Sequence, residues 1–120
     1  MGDIRHRAEQ ILYGSTLEDK LVSLSGLTDR TPGPPISVPQ LPSRPPELGF
    51  HTPNTRHPFP KPAHLNDLRQ RAIVLHHFAN HELLALELMA LTLLRFPDAS
   101  STFRKTLVQT MADEQKHLRL

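Results

Sequence analysis

The chain has 120 residues, of which 38% are hydrophobic, and its 14 Lys and Arg against 12 Asp and Glu give a formal charge of +2. The charges are scattered without a run of five or six of one sign, which argues against a nucleic-acid partner. Cysteine is absent, which excludes disulfides, thiolate zinc sites and Cys nucleophiles and leaves His and carboxylates as candidate metal ligands.

The sequence contains no signal for secretion or membrane insertion. Residues 1–7 lead into no apolar h-region, and the longest apolar run, from Leu83 to Leu94, is interrupted by Glu87 and Thr92. We therefore expect a soluble, cytoplasmic protein with no membrane partner.

Residues 1–27 form a predicted helical leader. Two short helices are expected between residues 3 and 24, separated by Gly14, because apolar residues recur there at helical spacing. The run from Ser15 to Glu18 matches a capping box at the start of the second helix. Gly26 is expected to end that helix.

Residues 28–65 form a predicted extended strap. Eleven of the twelve prolines lie between Pro32 and Pro62, which closes this segment to regular helix or central strand. The segment also keeps apolar residues, which a solvated linker has little reason to carry, so we expect them to anchor it on a helical bundle. A proline-rich ligand for a recognition domain is the alternative. The expected anchors are Ile36, Val38, Leu41, Leu48, Phe50 and Phe59.

Residues 66–120 are predicted to form an antiparallel pair of helices. The first spans 66–95 with Asn66 as a candidate N-cap, and the second spans about 100–120 with Ser100 or Ser101 as its cap. A tight turn over residues 96–99 joins them. Apolar residues occupy more than one face of the first helix, so we expect other helices to surround it.

Three side chains of this pair are candidate metal ligands. Glu114 and His117 are three residues apart, which places both on one face of a helix, about one turn apart, where they can hold the same ion. Both continue an apolar stripe of Phe103, Leu107 and Thr110 or Met111, and so point toward the buried side. Glu82 lies in a similar stripe on the first helix, formed by Leu75, Phe78, Ala79, Ala85, Leu86, Met89 and Leu93.

The spacing about the turn predicts that these carboxylates meet. Glu82 lies 16 residues before Asp98 and Glu114 lies 16 after it, so both reach the same height in an antiparallel pair. Glu87 would lie about 7 Å too low for Glu114, because a helix rises about 1.5 Å per residue. We assign Glu87 to a helix contact or to a supporting role beside the ligands.

Other histidines provide weaker candidates. His77 and His81 are an i, i+4 pair able in principle to bind zinc, and His76 adds a third imidazole. Surface or packing roles are the simpler interpretation. Histidines 51, 57 and 64 lie in or beside the strap without ligand spacing, and we leave all six out of the predicted site.

The segments from His77 to Leu88 and from Ala112 to Leu118 resemble ferritin-like proteins of the family called domain of unknown function 455. The leader and the strap also look like that family. The resemblance implies a four-helix bundle in which Glu82 is the first-helix ligand and Glu114 and His117 are the second-helix ligands of a di-iron or di-manganese centre. It further implies an oxidative role, with oxygen or peroxide activation as the usual chemistry.

The chain carries about half of such a domain. A third-helix Glu and a second Glu-x-x-His are both lacking, and the helical pattern continues to Leu120, so we expect a truncated domain. A missing C-terminal half or a second copy of the chain would complete the site. Two alternatives remain: a non-catalytic, metal-free helical module, and a hydrolase with a carboxylate pair, which no nucleophile motif supports.

Overall fold

A computed structural model describes residues 2–37, 42–45 and 61–119, with only the backbone of His64. Within these ranges the helical elements are α1 (Ile4–Tyr13), α2 (Leu17–Lys20), a 3₁₀ turn (Pro62–His64), α3 (Leu68–Arg95) and α4 (Ser101–Arg119). The described part of the chain contains no β-strand, only an isolated bridge between Asp3 and Thr28. The predicted all-helical class agrees with this mostly helical structure.

Both short helices of the leader begin at side-chain caps. The Asp3 carboxylate caps α1 by accepting a first-turn backbone amide at 3.2 Å. A capping box starts α2, but Thr16 and Asp19 form it, one residue later than the predicted pair at positions 15 and 18. The Thr16 hydroxyl and then the Gln10 amide donate to the Asp19 carboxylate and lower its pKa. Asp19 and not Glu18 completes the capping box, and its carboxylate also connects α2 to α1 by accepting the hydrogen bond from Gln10.

The second helix is shorter than predicted. It ends at Lys20, whereas the sequence predicted helix up to Leu24. The Gln115 side chain of α4 donates to the carbonyls of Lys20 and Val22 at 3.1 and 2.8 Å. These bonds stabilise a non-helical path after Lys20. They give the two carbonyls a hydrogen-bond donor, which backbone amides would supply if the helix continued. Gly26, expected to end the helix, lies in a later turn with φ of +64°.

One core lies between α1, the C-terminal half of α3, and α4. The leader and the helix pair therefore share this core, although the boundaries drawn between predicted segments stay a prediction. The N-terminal half of α3 projects beyond it, with Leu68 and Leu75 76% and 67% exposed. The buried apolar residues are Ile4, Ala8, Ile11, Leu12, Leu24, Leu83, Leu86, Ala90, Leu93, Leu94, Val108 and Met111.

The two long helices pack against each other as a helix pair. The turn over residues 96–99 is closed by the Ala99 amide, which donates to the Phe96 carbonyl at 3.2 Å. Asp67, not Asn66, caps α3, and the Ser100 hydroxyl accepts an amide of the first turn of α4. Even α3, the longest of the described helices, lacks the apolar stretch needed to cross a membrane.

The rotation of α4 about its axis differs from the prediction. Phe103, expected to face the core, is 49% exposed, and the next residue, Arg104, is buried in its place. Arg104 donates to both carboxylate oxygens of Asp29 at 2.7 and 3.0 Å and to two carbonyls at the end of α3. Arg104 and Gln115 lie on the buried face of α4, because both side chains form hydrogen bonds with other segments of the chain. The buried positions of α4 are Arg104, Val108, Met111 and Gln115.

The predicted buried stripe of α3 is likewise only partly buried. Leu86 and Leu93 lie in the core, but Leu75 and Phe78 are 67% and 55% exposed. The reason is that α1 and α4 bury side chains only of the C-terminal half of α3, from Leu83 onward. The exposed residues belong to the part of α3 that contributes no buried side chain.

Within the predicted strap, residues 31–37 and 42–45 contain no helix or strand, whereas its C-terminal end contains the 3₁₀ turn Pro62–His64. Two backbone hydrogen bonds attach it to the helices: the Ile36 amide donates to the Leu94 carbonyl, and the Ser43 amide donates to the Leu12 carbonyl. Ile36 packs against the core and Pro45 is buried. The other predicted anchors lie outside the described residues: Val38, Leu41, Leu48, Phe50 and Phe59.

A buried ion cluster joins the leader, the strap and α3. The Lys20 ammonium donates to the Glu87 carboxylate at 2.9 Å, to the Ile11 carbonyl at 2.6 Å and to the Ser43 carbonyl. The Arg44 guanidinium makes a two-pronged contact with the same carboxylate. Burial lowers the pKa of Lys20, and the hydrogen bond and charge of Glu87 oppose that shift. The contact with Lys20 of α2 agrees with the helix contact expected for Glu87, whose position along α3 lies away from Glu114.

Replacing Glu87 by Gln tests the weight of this cluster. The substitution leaves two buried cations without a carboxylate, so we expect the free energy of unfolding to fall by about 3–5 kcal/mol. Urea denaturation followed by circular dichroism measures the loss. Glu9→Gln is the matched control, because Glu9 pairs with Arg5 at 2.9 Å on the surface and such pairs contribute about 0.3–0.5 kcal/mol. Equal losses in the two variants would contradict a stabilising role for the cluster.

Candidate metal centre

Glu82 of α3 and Glu114 and His117 of α4 lie together on the helix pair. One ligand atom from each residue can be chosen so that all three lie within 4.8 Å of one another. The Nδ1 atom of His117 is 3.5 Å from Glu82 Oε2 and 3.7 Å from Glu114 Oε2. The structure therefore brings together the three side chains that the sequence singled out.

The turn and the helical spacing explain this meeting. The tight turn at residues 96–99 fixes the register of the pair, so that positions equally distant from it lie at the same height. Glu114 and His117 then follow one another on a single face of α4, one turn apart. The 1.5 Å rise per residue that predicted the meeting of Glu82 and Glu114 is sufficient because both helices run unbroken through the site.

The cluster lies at the edge of the core and not inside it, as the rotation of α4 requires. The Glu114 side chain is 19% exposed and the Glu82 side chain 33%, whereas His117, expected to point toward the buried side, is 55% exposed. Glu114 Oε2 is buried and has no hydrogen-bond partner among the described residues. One side of the site is thus exposed to solvent at His117, and its buried side contains a carboxylate oxygen without a hydrogen-bond partner among the described residues.

The donor set suits a divalent cation. Two ligand atoms that each lie about 2.1 Å from one ion are at most about 4.2 Å apart, and the two imidazole-to-carboxylate distances fall within that limit. Carboxylate oxygens with one imidazole nitrogen suit manganese and iron, as well as zinc. A cation would also satisfy the buried oxygen of Glu114, which the described side chains leave without a hydrogen bond.

The other histidines within the described part of the chain do not form a comparable group. Among the described residues, His76, His77 and His81 belong to no set of three potential ligands at metal-binding distances. Histidines 51 and 57, and the side chain of His64, lie outside the described part.

Sequence patterns did not predict the buried polar residues that join the helices to the rest of the chain. Lys20, Arg44, Arg104 and Gln115 bond to distant segments, and none belongs to a local motif. The one available signal was the position of Glu87, a single charge within the apolar run from Leu83 to Leu94. Such a charge in a helix otherwise suited to burial indicates a buried partner of opposite sign.

Glu114→Gln tests whether this carboxylate has a structural role without metal. Two carboxylates within 4.8 Å repel each other, so we expect the variant in chelator to be as stable as the parent or more stable by up to about 1 kcal/mol. Thermal unfolding in EDTA measures the difference. Asp113→Asn, at the exposed neighbouring position, is the control. A loss of about 2 kcal/mol or more would instead identify Glu114 as a structural ion-pair partner.

The comparisons with known proteins agree with the resemblance noted from the sequence in one respect. The model of the family described as "Protein of unknown function (DUF455)" matches residues 5–120, which is almost the whole chain. No curated protein and no solved structure matches the chain. The match includes the leader, the strap and both long helices, and therefore all three residues of the candidate site. The chain belongs to the DUF455 family of proteins of unknown function.

Proposed function

We propose that this protein is a ferritin-like metalloprotein in which Glu82, Glu114 and His117 hold iron or manganese as part of a carboxylate-bridged di-metal centre. The observation that carries the proposal is the convergence of these three ligand atoms within 4.8 Å across two helices. A metal held by carboxylates and imidazole at a partly open site supplies oxygen or peroxide activation when bound. The proposed role is therefore oxidative.

The arrangement of ligands on the helices supports the ferritin-like part of the proposal. Di-metal proteins of that class use a Glu from each of two helices and a Glu-x-x-His motif from each of two others. This chain has Glu82 on α3 and Glu114 with His117 on α4, one set of each kind. Three residues are half of a complete dinuclear set.

The orientation of His117 suits a metal ligand. Its Nδ1 atom faces both carboxylates, which leaves the Nε2 atom on the other side of the ring. With a metal bound, Nδ1 would hold the ion and the ring proton would reside on Nε2. Because protons compete with the metal for Nδ1 and for both carboxylates, acid weakens binding.

A non-catalytic helical module is the alternative function. His117 contacts both carboxylates, so a protonated imidazole could pair with them and leave no need for a metal. The chain already uses carboxylates in this way at Glu87 and Asp29, whose partners are buried cations. The two functions differ in one measurable property, the affinity of the site for a divalent cation.

Metal titration distinguishes the two functions. We expect the chelator-stripped protein to bind Mn²⁺ or, under anaerobic conditions, Fe²⁺, and Glu82→Gln, Glu114→Gln and His117→Gln each to weaken binding at least about tenfold, since even outer-shell changes cost about 10–100-fold. Calorimetry and metal analysis after gel filtration provide the affinities and stoichiometry.

Asp113→Asn serves as the matched control for the titration, because Asp113 is an exposed carboxylate next to Glu114 in the sequence. This variant should bind as the parent does. Equal binding by the parent, the control and all three site variants would place the metal elsewhere, and no binding by the parent would favour the non-catalytic module.

The cytoplasmic location of the protein stays a prediction.

A further inference from the structure

The face of the helix pair that carries the candidate ligands is also apolar and exposed. We define the open face by Leu68, Leu75, Glu82, Met89 and Phe96 of the α3 side, which follow one another at intervals of seven residues. Leu68, Leu75 and Phe96 are 76%, 67% and 59% exposed, and Met89 is partly buried. Seven residues make nearly two helical turns, so these positions form one stripe along α3.

Glu82 divides this stripe symmetrically. Leu75 and Met89 lie seven residues on either side of it, about 10.5 Å along the helix, and Leu68 and Phe96 lie fourteen residues away, about 21 Å. A two-fold axis that crosses the open face at the height of Glu82, perpendicular to the helices, brings Leu75 of one copy to the height of Met89 of the other. The same axis brings Leu68 to the height of Phe96. Each exposed leucine is then level with an apolar residue and not with a charge.

The same axis completes the ligand set. One chain supplies two carboxylates and one imidazole at the site, and two chains related by this axis supply four carboxylates and two imidazoles. That is the composition of a dinuclear carboxylate centre.

We propose that the protein forms a metal-linked homodimer, in which the open faces of two copies pack around a two-fold axis and two sets of Glu82, Glu114 and His117 share two divalent cations. This inference rests on the metal site of the proposed function. Four carboxylates that meet at one axis carry a charge of −4, which opposes association of the metal-free chains. Two divalent cations neutralise that charge, so metal and the second chain favour each other's binding.

The linkage is reciprocal and has a measurable size. If Mn²⁺ strengthens dimerisation by some factor, dimerisation strengthens the binding of Mn²⁺ correspondingly, and couplings of this kind are typically about 5–150-fold. We therefore expect the dimer dissociation constant to fall at least about tenfold between EDTA and saturating Mn²⁺. The dimer should contain two Mn²⁺, and their proximity should appear as an exchange-coupled signal in electron paramagnetic resonance.

Sedimentation velocity over a concentration series, in EDTA and in Mn²⁺, tests the inference. Leu75→Lys places a cation on the open face without touching a ligand, and Leu75 is exposed enough for the fold to survive. This variant should remain monomeric in Mn²⁺ and lose the coupled signal. Leu17→Lys is the matched control, since Leu17 is another exposed leucine, 43% exposed on α2, and it should dimerise as the parent does.

The remaining outcomes separate the two proposals. Mn²⁺ binding by a protein that stays monomeric would overturn the dimer and leave the proposed metal site standing. A dimer that forms equally well in EDTA, or that survives Leu75→Lys, would overturn the metal-linked interface. Absence of binding of both Mn²⁺ and, under anaerobic conditions, Fe²⁺ by the parent chain would overturn the proposed function, and the inference with it.

Discussion

Glu87 lies where three parts of the chain meet, and its carboxylate is the contact through which they hold one another. Lys20 reaches it from the end of α2 across 67 residues of sequence, and Arg44 reaches it from the strap across 43. The ammonium group of Lys20 uses its three donors on one carboxylate and two backbone carbonyls, which is why a lysine can be fully buried there. The cluster thus contacts both α1, at the Ile11 carbonyl, and α3, at Glu87.

A second set of polar contacts determines where the candidate site lies relative to the core. Arg104 and Gln115 are buried and bond to the loop after α2 and to the end of α3, which fixes the rotation of α4. Glu114 and His117 are therefore at the edge of the packed face. A ligand cluster at that edge keeps carboxylates partly desolvated, which strengthens their attraction for a cation, while one side remains open to solvent. The same polar contacts thus serve both the packing of the pair and the setting of the site.

Much of the helix pair and the meeting of the three candidate ligands followed from the sequence, because both depend on local rules. The turn at residues 96–99, the helical rise and the spacing of Glu114 and His117 are properties of adjacent residues. The rotation of α4 and the early end of α2 depend instead on Gln115, which bonds to carbonyls more than 90 residues away. No periodicity predicts such a bond, and an amphipathic pattern assigns Gln and Arg to the solvent side by default. The errors in the sequence prediction therefore concentrate at buried polar residues.

The order in which this core is synthesised has a consequence for the folding of the chain. The apolar side of α1, with Ile4, Ile11 and Leu12, packs against the C-terminal half of α3 as far as Leu94. At about 5–20 residues per second, a ribosome needs about 4–16 s to proceed from Leu12 to Leu94. Throughout that interval the nascent leader has no α3 to pack against, and Lys20 has no Glu87. This core therefore cannot form before the second half of α3 has been synthesised, and until then the apolar side of α1 is exposed surface of the kind that favours aggregation.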